Sequence, residues 1–259
     1  MNDTNKKFEF NKERHLYLLD GKPLTGCTTI LGILAKPALI PWASKMCAEY
    51  IDNKVQGIMV EDDRMTPAKA WKVLEINWAV WLEEARKVHA KRKTDAGAYG
   101  TETHNKIELL ILNAIKNYGG MILEEEVDIK NKSVQNFIDW SIKNKVKFLE
   151  TEKLIYSENL YAGGTVDFVC EIDGQVWIGD IKTSGSGIYP EHFFQCAGYN
   201  LMLEDMGLYP NIIGYLILNL KENGEMLEKR SISNEENKKI FKNCLEIYRC
   251  QQKLNSNIN

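Results

Sequence analysis

The chain has 259 residues and a mass of 29.7 kDa, which leaves room for one large domain or two small ones. Hydrophobic residues make up 44% and charged residues 27%, so disorder over most of the length is excluded and a sizeable core can be buried. The net charge of −3, from 33 basic and 36 acidic residues, argues against a protein that coats nucleic acid non-specifically, but not against a local basic patch.

No apolar run approaches the about 18 residues of a membrane-spanning helix. Residues 1–13 lack the apolar core of a signal peptide and the arginine-rich, acid-free character of a transit sequence. The expectation is a cytoplasmic protein with no membrane partner. Cysteines stand at 27, 47, 170, 196, 244 and 250 with no C-x-x-C pair, which excludes a zinc ribbon or thioredoxin motif. They read as free, buried thiols.

Taken in chain order, residues 8–30 predict short strands around an Asp20-Gly21 turn. Thr28 and Thr29 can cap a short helix reaching about Ala35. Pro37 and Pro41 punctuate, and a helix is expected over 42–53. Thr66-Pro67 is a helix start, and Trp71, Leu74, Trp78, Trp81, Leu82 and Ala85 form an amphipathic stripe behind it. That stripe reads as a buried helix face, with base stacking on the tryptophans as the alternative. Residues 95–100 read as a glycine-containing loop, followed by a helix over 101–117, an acidic stretch, and a helix over 132–144. Strands are expected at 148–156, 164–172 and 175–181, a helix at 190–203, a hairpin of 212–220 with 226–232 around Asn223-Gly224, and a last helix over 235–254. This order predicts an α/β fold: a mixed central sheet flanked by helices, with a mainly helical N-terminal part (1–146) and a sheet-bearing part (147–259) in a single domain.

The richest segment is G-G-T-V-D-F-V-C-E-I-D-G-Q-V-W-I-G-D-I-K, residues 163–182. Asp173-Gly174 is the preferred two-residue hairpin turn. If it pairs Ile172 with Gln175, Asp167 falls opposite Asp180, and Lys182 shares the face of Asp180. Two carboxylates this close repel unless a proton or cation intervenes, and Mg²⁺ or Mn²⁺ is the natural choice for oxygen ligands. A solvated Asp180–Lys182 pair on a surface hairpin is the competing reading.

His104 shares a helix face with Ile107 and Ile111 and points inward, as a core residue or as a metal ligand. Gln195 and Tyr199 lie four apart on one helix face. They suit contacts to a phosphate backbone or a base, or an ordinary amphipathic helix. Glu152 could support a metal or a neighbouring helix. Arg86, Lys87, Lys91, Arg92 and Lys93 form an acid-free cluster that could contact phosphates, or simply a solvated helix end. Lys143, Lys145 and Lys147 form a smaller group.

Together these motifs resemble the PD-(D/E)XK nuclease superfamily, and within it the RecB-like exonuclease group. The carriers are Gly100 with His104, Gly164 with Asp167, Asp180 with Lys182, and Gln195 with Tyr199, in that order. The run H-L-Y-L-L-D-G-K-P-L-T-G-C-T-T-I-L also looks like the opening of phage-encoded and mitochondrial genome maintenance members. The resemblance implies a restriction-endonuclease-like core. It implies that His104, Asp167, Asp180 and the Ile181 carbonyl bind Mg²⁺ or Mn²⁺, and that Lys182 orients or deprotonates the attacking water. Gln195 and Tyr199 would hold the strand. The implied activity is hydrolysis of DNA at ends or in single strands, in replication, repair or recombination within a bacterial or phage-infected cell. A structure-specific endonuclease and a non-catalytic DNA-binding recombination partner are the rival readings. Some relatives carry an iron–sulfur cluster on C-x-x-C-x5-C and an upstream cysteine. Here Cys244 and Cys250 keep the last spacing while Phe241 takes the third position, so no cluster is expected.

Overall fold

Two Asp-Gly turns frame the sheet in the computed structural model, which describes residues 7–34, 36, 39–60, 65–123, 131–232 and 234–258. Asp20-Gly21 has φ of 51° and 75°, and Asp173-Gly174 has 52° and 74°, the paired positive values a tight two-residue hairpin needs. Along the chain come β1 (Phe8–Asn11), β2 (Leu16–Leu19), β3 (Lys22–Gly26), α1 (Cys27–Leu31), α2 (Leu39–Val60), α3 (Pro67–Asn117) and α4 (Lys132–Lys143). They are followed by β4 (Lys147–Ser157), β5 (Ala162–Ile172), β6 (Gln175–Lys182), α5 (Pro190–Asp205), β7 (Ile212–Leu220), β8 (Met226–Ser231) and α6 (Asn234–Ile258). The chain divides into two compact units, one of Met1–Leu34 with Gly100–Asn259, the other Ala35–Tyr99.

The first unit carries a mixed eight-stranded sheet in the order β1-β2-β3-β5-β6-β7-β8, with β4 also on β5. The β3–β5 and β6–β7 pairs are parallel and the others antiparallel. β4 occupies one edge of β5, pairing it from Ala162 to Glu171. β3 and β6 therefore share the opposite edge. β6 pairs from Phe168 to Ile172 and β3 takes Ala162 and Gly163. Residues 164–167 lie in the fork between them.

Alternation along β5 and β6 fills both faces of the sheet. Val169 and Ile178 join Tyr199, Met202, Phe241 and Leu245 in one core, roofed by α1, α5 and α6. Phe168, Cys170, Trp177 and Ile181 join Ile107, Ile111, Phe137 and Phe148 in the other, under α4 and the last turns of α3. A small cluster of Tyr17, Leu19 and Leu24 seals the N-terminal strands. Local signals start the helices. Asn131 caps α4 by accepting from the Ser133 and Val134 amides, and Pro190 opens α5 behind Tyr189.

Four expectations change. Residues 95–100 are not a loop: α3 runs through them without a break. Single glycines in a helix cost only about 1 kcal/mol each, and Ala96 and Ala98 flank Gly97. At Gly100 packing gives a reason for the glycine, because a Cβ there would stand 2.8 Å from Thr183 Oγ1. α2 begins at Leu39, so Pro41 sits in its first turn, where proline is tolerated. α1 starts at Cys27 and ends at Leu31 with no side-chain cap, and Ala35, Pro37 and the acidic stretch at 124–126 lie outside the described residues. The tryptophan stripe is not a buried face: Trp71 is 70% exposed and Trp78 44%, whereas Ala85 is buried. The second unit offers α3 a helical partner in α2, and one helix covers a narrower strip than a sheet would.

Candidate functional site

The chemistry-bearing residues of the first unit gather at the fork in β5. The β5–β6 pairing follows the expected register, with Ile172 opposite Gln175 and Phe168 opposite Gly179. The ladder stops there. On the next rung the Asp167 side chain takes over, and its Oδ2 accepts a hydrogen bond from the Ile181 amide at 2.7 Å. Ile181 thus touches the site through its N–H, while its side chain is buried in the α4-side core.

His104 reaches this point from α3. Its Nδ1 stands 3.8 Å from Asp167 Oδ2 and 3.9 Å from Glu152 Oε1. Ligand atoms of His104, Glu152 and Asp167 lie within 4.8 Å of one another, the one such group of three among the described residues. Glu152 sits in mid-strand with φ of 44°. That left-handed conformation costs a non-glycine residue about 1–2 kcal/mol. It falls between the Thr151–Phe168 and Lys153–Val166 pairs, on the rung of Asp167.

Asp180 is not part of that trio. It shares the face of Ile178 and is completely buried. Lys182 Nζ lies 2.8 Å from its Oδ1 and 2.7 Å from its Oδ2. Only the Oδ1 contact has hydrogen-bonding geometry, so the buried Oδ2 accepts no hydrogen bond. Lys182 also reaches Gln195 Oε1 at 3.4 Å, and Gln195 Nε2 donates to the Tyr199 hydroxyl at 2.6 Å. Gln195 and Tyr199 are thereby joined to the D-x-K pair through Lys182. The Tyr199 ring, 4% exposed, lies against Gly164, where a Cβ would come within 2.7 Å of Cε1. Glycine at 164 is what lets that ring lie flat on β5.

Burial pushes the Asp167 and Asp180 carboxyls above the usual carboxylate range. His104 is pushed down by burial, but the charges of Asp167 and Glu152 outweigh this and lift it to about 8. Burial likewise lowers Lys182, and the charges of Asp180 and Asp167 overcome it, so its net direction is upward. Lys182 is therefore an ammonium beside the two carboxyls.

The predicted basic cluster belongs to the other unit. Arg86, Lys87, Lys91, Arg92 and Lys93 are exposed on α3. They stand mid-helix, not at a helix end, so the pull of a C-terminal dipole does not account for them. Glu83 pairs with Lys87 at 2.8 Å and Arg86 at 3.5 Å, and Arg92 Nη1 lies 3.0 Å from Met46 Sδ. Phe241 and Cys244 are buried in the core roofed by α6, whereas Cys250 is exposed.

Two contributors were not read from sequence in these roles. Tyr17, on β2, hydrogen-bonds Thr165 Oγ1 at 3.0 Å inside the fork. From sequence Glu152 has only a supporting place beside a metal or a neighbouring helix. No local pattern marks either, since both act through long-range strand pairing.

No family model matches the chain, and no curated protein does. Among solved structures, the crystal structure of SSO0001 aligns at 12% identity over 44% of this chain, with a TM-score of 0.27. The chain spans 57% of that protein's length. A likeness of this strength carries no argument. Among the described residues, no helix is long and apolar enough to cross a membrane.

Proposed function

We propose that the chain is a divalent-metal-dependent DNA nuclease with a PD-(D/E)XK, restriction-endonuclease-like core of the RecB-like exonuclease group, acting on DNA ends or single strands. One observation carries the reading. The His104–Glu152–Asp167 trio and the buried Asp180–Lys182 pair meet at the same end of adjacent strands, with Gln195 and Tyr199 attached.

The donor set suits a small cation. An imidazole and two carboxylates brought within 4.8 Å of one another supply nitrogen and oxygen donors of the kind a divalent cation takes. Two carboxylates with an imidazole suit Mn²⁺ as well as Mg²⁺. His104, Asp167 and Glu152 would hold the ion, and the unsatisfied Asp180 Oδ2 supports a fourth ligand. When bound, such a cation acidifies water and offsets charge on the phosphate.

The protein groups then have distinct tasks. Lys182, charged and held by Asp180 and Gln195, donates to the attacking water or to a phosphate oxygen and stabilises the charge growing there. As an ammonium it orients the water. Gln195, fixed by Tyr199, keeps the Lys182 head in place. Asp167 and Glu152 hold His104 in the fork.

The test is digestion of end-labelled single- and double-stranded DNA with Mg²⁺ or Mn²⁺, blocking each end in turn. Cleavage is expected only with metal, and Asp180→Ala and Lys182→Ala are expected to lower it by at least about a hundredfold. Variants that cleave as well as wild type sink the proposal. Cutting of circular single strands would instead mark an endonuclease, and binding without cleavage a non-catalytic partner.

A further inference from the structure

The fork opens into a cavity of about 1070 Å³. One wall is the metal trio, through His104, Glu152 and Asp167. Another part of the lining is the N-terminal meander, through Phe10, Lys12, His15 and Tyr17. Small-ligand pockets span about 300–1,000 Å³, so this cavity exceeds what a single ion and its waters require.

The meander wall is aromatic. Phe10 stacks on Tyr17, with ring centroids 4.7 Å apart and planes 26° from parallel. His15 stands edge-on to Phe10 at 5.2 Å. Tyr17 is buried and anchored to Thr165, whereas Phe10 is half-buried and His15 and Lys12 are exposed. The buried ring thus supports rings that keep open surface on the cavity. His15 holds φ of 50° at the end of the β1–β2 loop, a left-handed conformation that histidine adopts more readily than most non-glycine residues. The stem of this hairpin is a short strand pair, yet it presents rings to the cavity instead of burying them all.

We propose that this wall is a nucleotide subsite: Phe10 and His15 receive a base of the substrate strand, and Lys12 meets the adjoining phosphate. Every base has a π-face, so stacking of this kind tolerates any sequence and selects unpaired over paired nucleotides. Glu108 and Glu152 also line the cavity, which keeps phosphates toward the Lys12 side unless a cation intervenes. The inference rests on the nuclease reading and names its substrate class as single-stranded DNA.

The experiment measures anisotropy of a labelled oligothymidylate with Ca²⁺ replacing Mg²⁺ to block turnover. A fully abasic strand of the same length, free dTMP and a blunt duplex serve as comparisons. The wild type is expected to bind the base-bearing strand about 5- to 150-fold more tightly than the abasic one, the factor commonly contributed by one stacked base. His15→Ala is expected to reduce that preference, and Phe10→Ala with His15→Ala to abolish it. Phe10→Trp, which keeps a ring, should retain it. His15 is exposed, so its replacement tests the idea even if the Phe10 variant unfolds. Equal binding of normal and abasic strands, or a preference that survives loss of both rings, overturns the subsite. So does dTMP binding as tightly as the strand, or a duplex binding more tightly. If the wild type cleaves the strand with Mg²⁺ or Mn²⁺ yet ignores the bases, only this inference fails. If it neither binds nor cleaves DNA, the nuclease reading fails with it.

Discussion

Replacing Lys182 by methionine removes the cation from a carboxylate that has no other hydrogen-bond donor. Asp180 is completely buried, and Lys182 keeps 24% of its side chain exposed. Breaking a fully buried pair costs about 3–5 kcal/mol. Water reaches the lysine end here, so about 3 kcal/mol is expected. That corresponds to a Tm drop of roughly 6–12 °C for a unit of this size. The penalty depends on pH. Burial and the Asp167 charge already raise Asp180, and Lys182 is the group that opposes them most. Without it the folded-state pKa rises further above the unfolded value of about 3.9. A group raised in this way favours the folded state at low pH and loses that contribution as pH climbs through its folded pKa. Urea unfolding at about pH 5 and pH 8 should therefore show the larger deficit at pH 8. Asp180→Asn combined with Lys182→Met should recover much of the loss, because no charge is left stranded. If Lys182→Met lies within about 0.5 kcal/mol of wild type at the higher pH, or the double variant is less stable than the single one, this electrostatic account is wrong.

Three further outcomes follow. His104 titrates near 8, so below that pH a proton competes with any cation; Mn²⁺ affinity by calorimetry should fall as pH drops, approaching tenfold per unit. A pH-independent affinity, or one that His104→Asn leaves unchanged, removes His104 from the ligands. Gly164→Ala drives a methyl into the Tyr199 ring and should cost about 1–3 kcal/mol by denaturant unfolding, together with a loss of cleavage; wild-type stability would contradict the packing described. Gly97→Ala meets nothing within 4 Å and should stabilise by up to about 1 kcal/mol, whereas Gly100→Ala crowds Thr183 next to Lys182 and should lower cleavage. Equal activity of the two glycine variants would show that crowding Thr183 does not disturb Lys182.

What could be read in advance depended on range. The Asp173-Gly174 turn is local chemistry, and it carries the register as far as Phe168 opposite Gly179, one rung short of Asp167 and Asp180. The side-chain period does the same for Lys182 beside Asp180. Glu152 is different. Its place depends on a register shift between Phe148 and Glu150 and on a left-handed residue in mid-strand, neither of which has a local signature. From sequence α3 reads as two helices, because two glycines weigh heavily in a short window and lightly in a 51-residue helix. Its tryptophans show the converse: 3- and 4-residue spacing reveals a stripe, but how much of it is covered depends on the width of its partner.

The fork in β5 also bears on folding and local opening. The meander that forms one wall of the cavity is registered to β5 by only two residue pairs, Thr25–Ala162 and Gly26–Gly163, whereas β4 and β6–β7 are held by long ladders. In native-state hydrogen exchange, amides of β1 and β2 should therefore exchange through a sub-global opening well below the energy that exposes β5–β7. The wall is a detachable piece, and the residues on either side of the cavity come together only after segments nearly 150 positions apart in the chain have met, as in the Tyr17–Thr165 bond. The meander wall of the cavity, rather than the metal trio, is thus the part expected to come undone first.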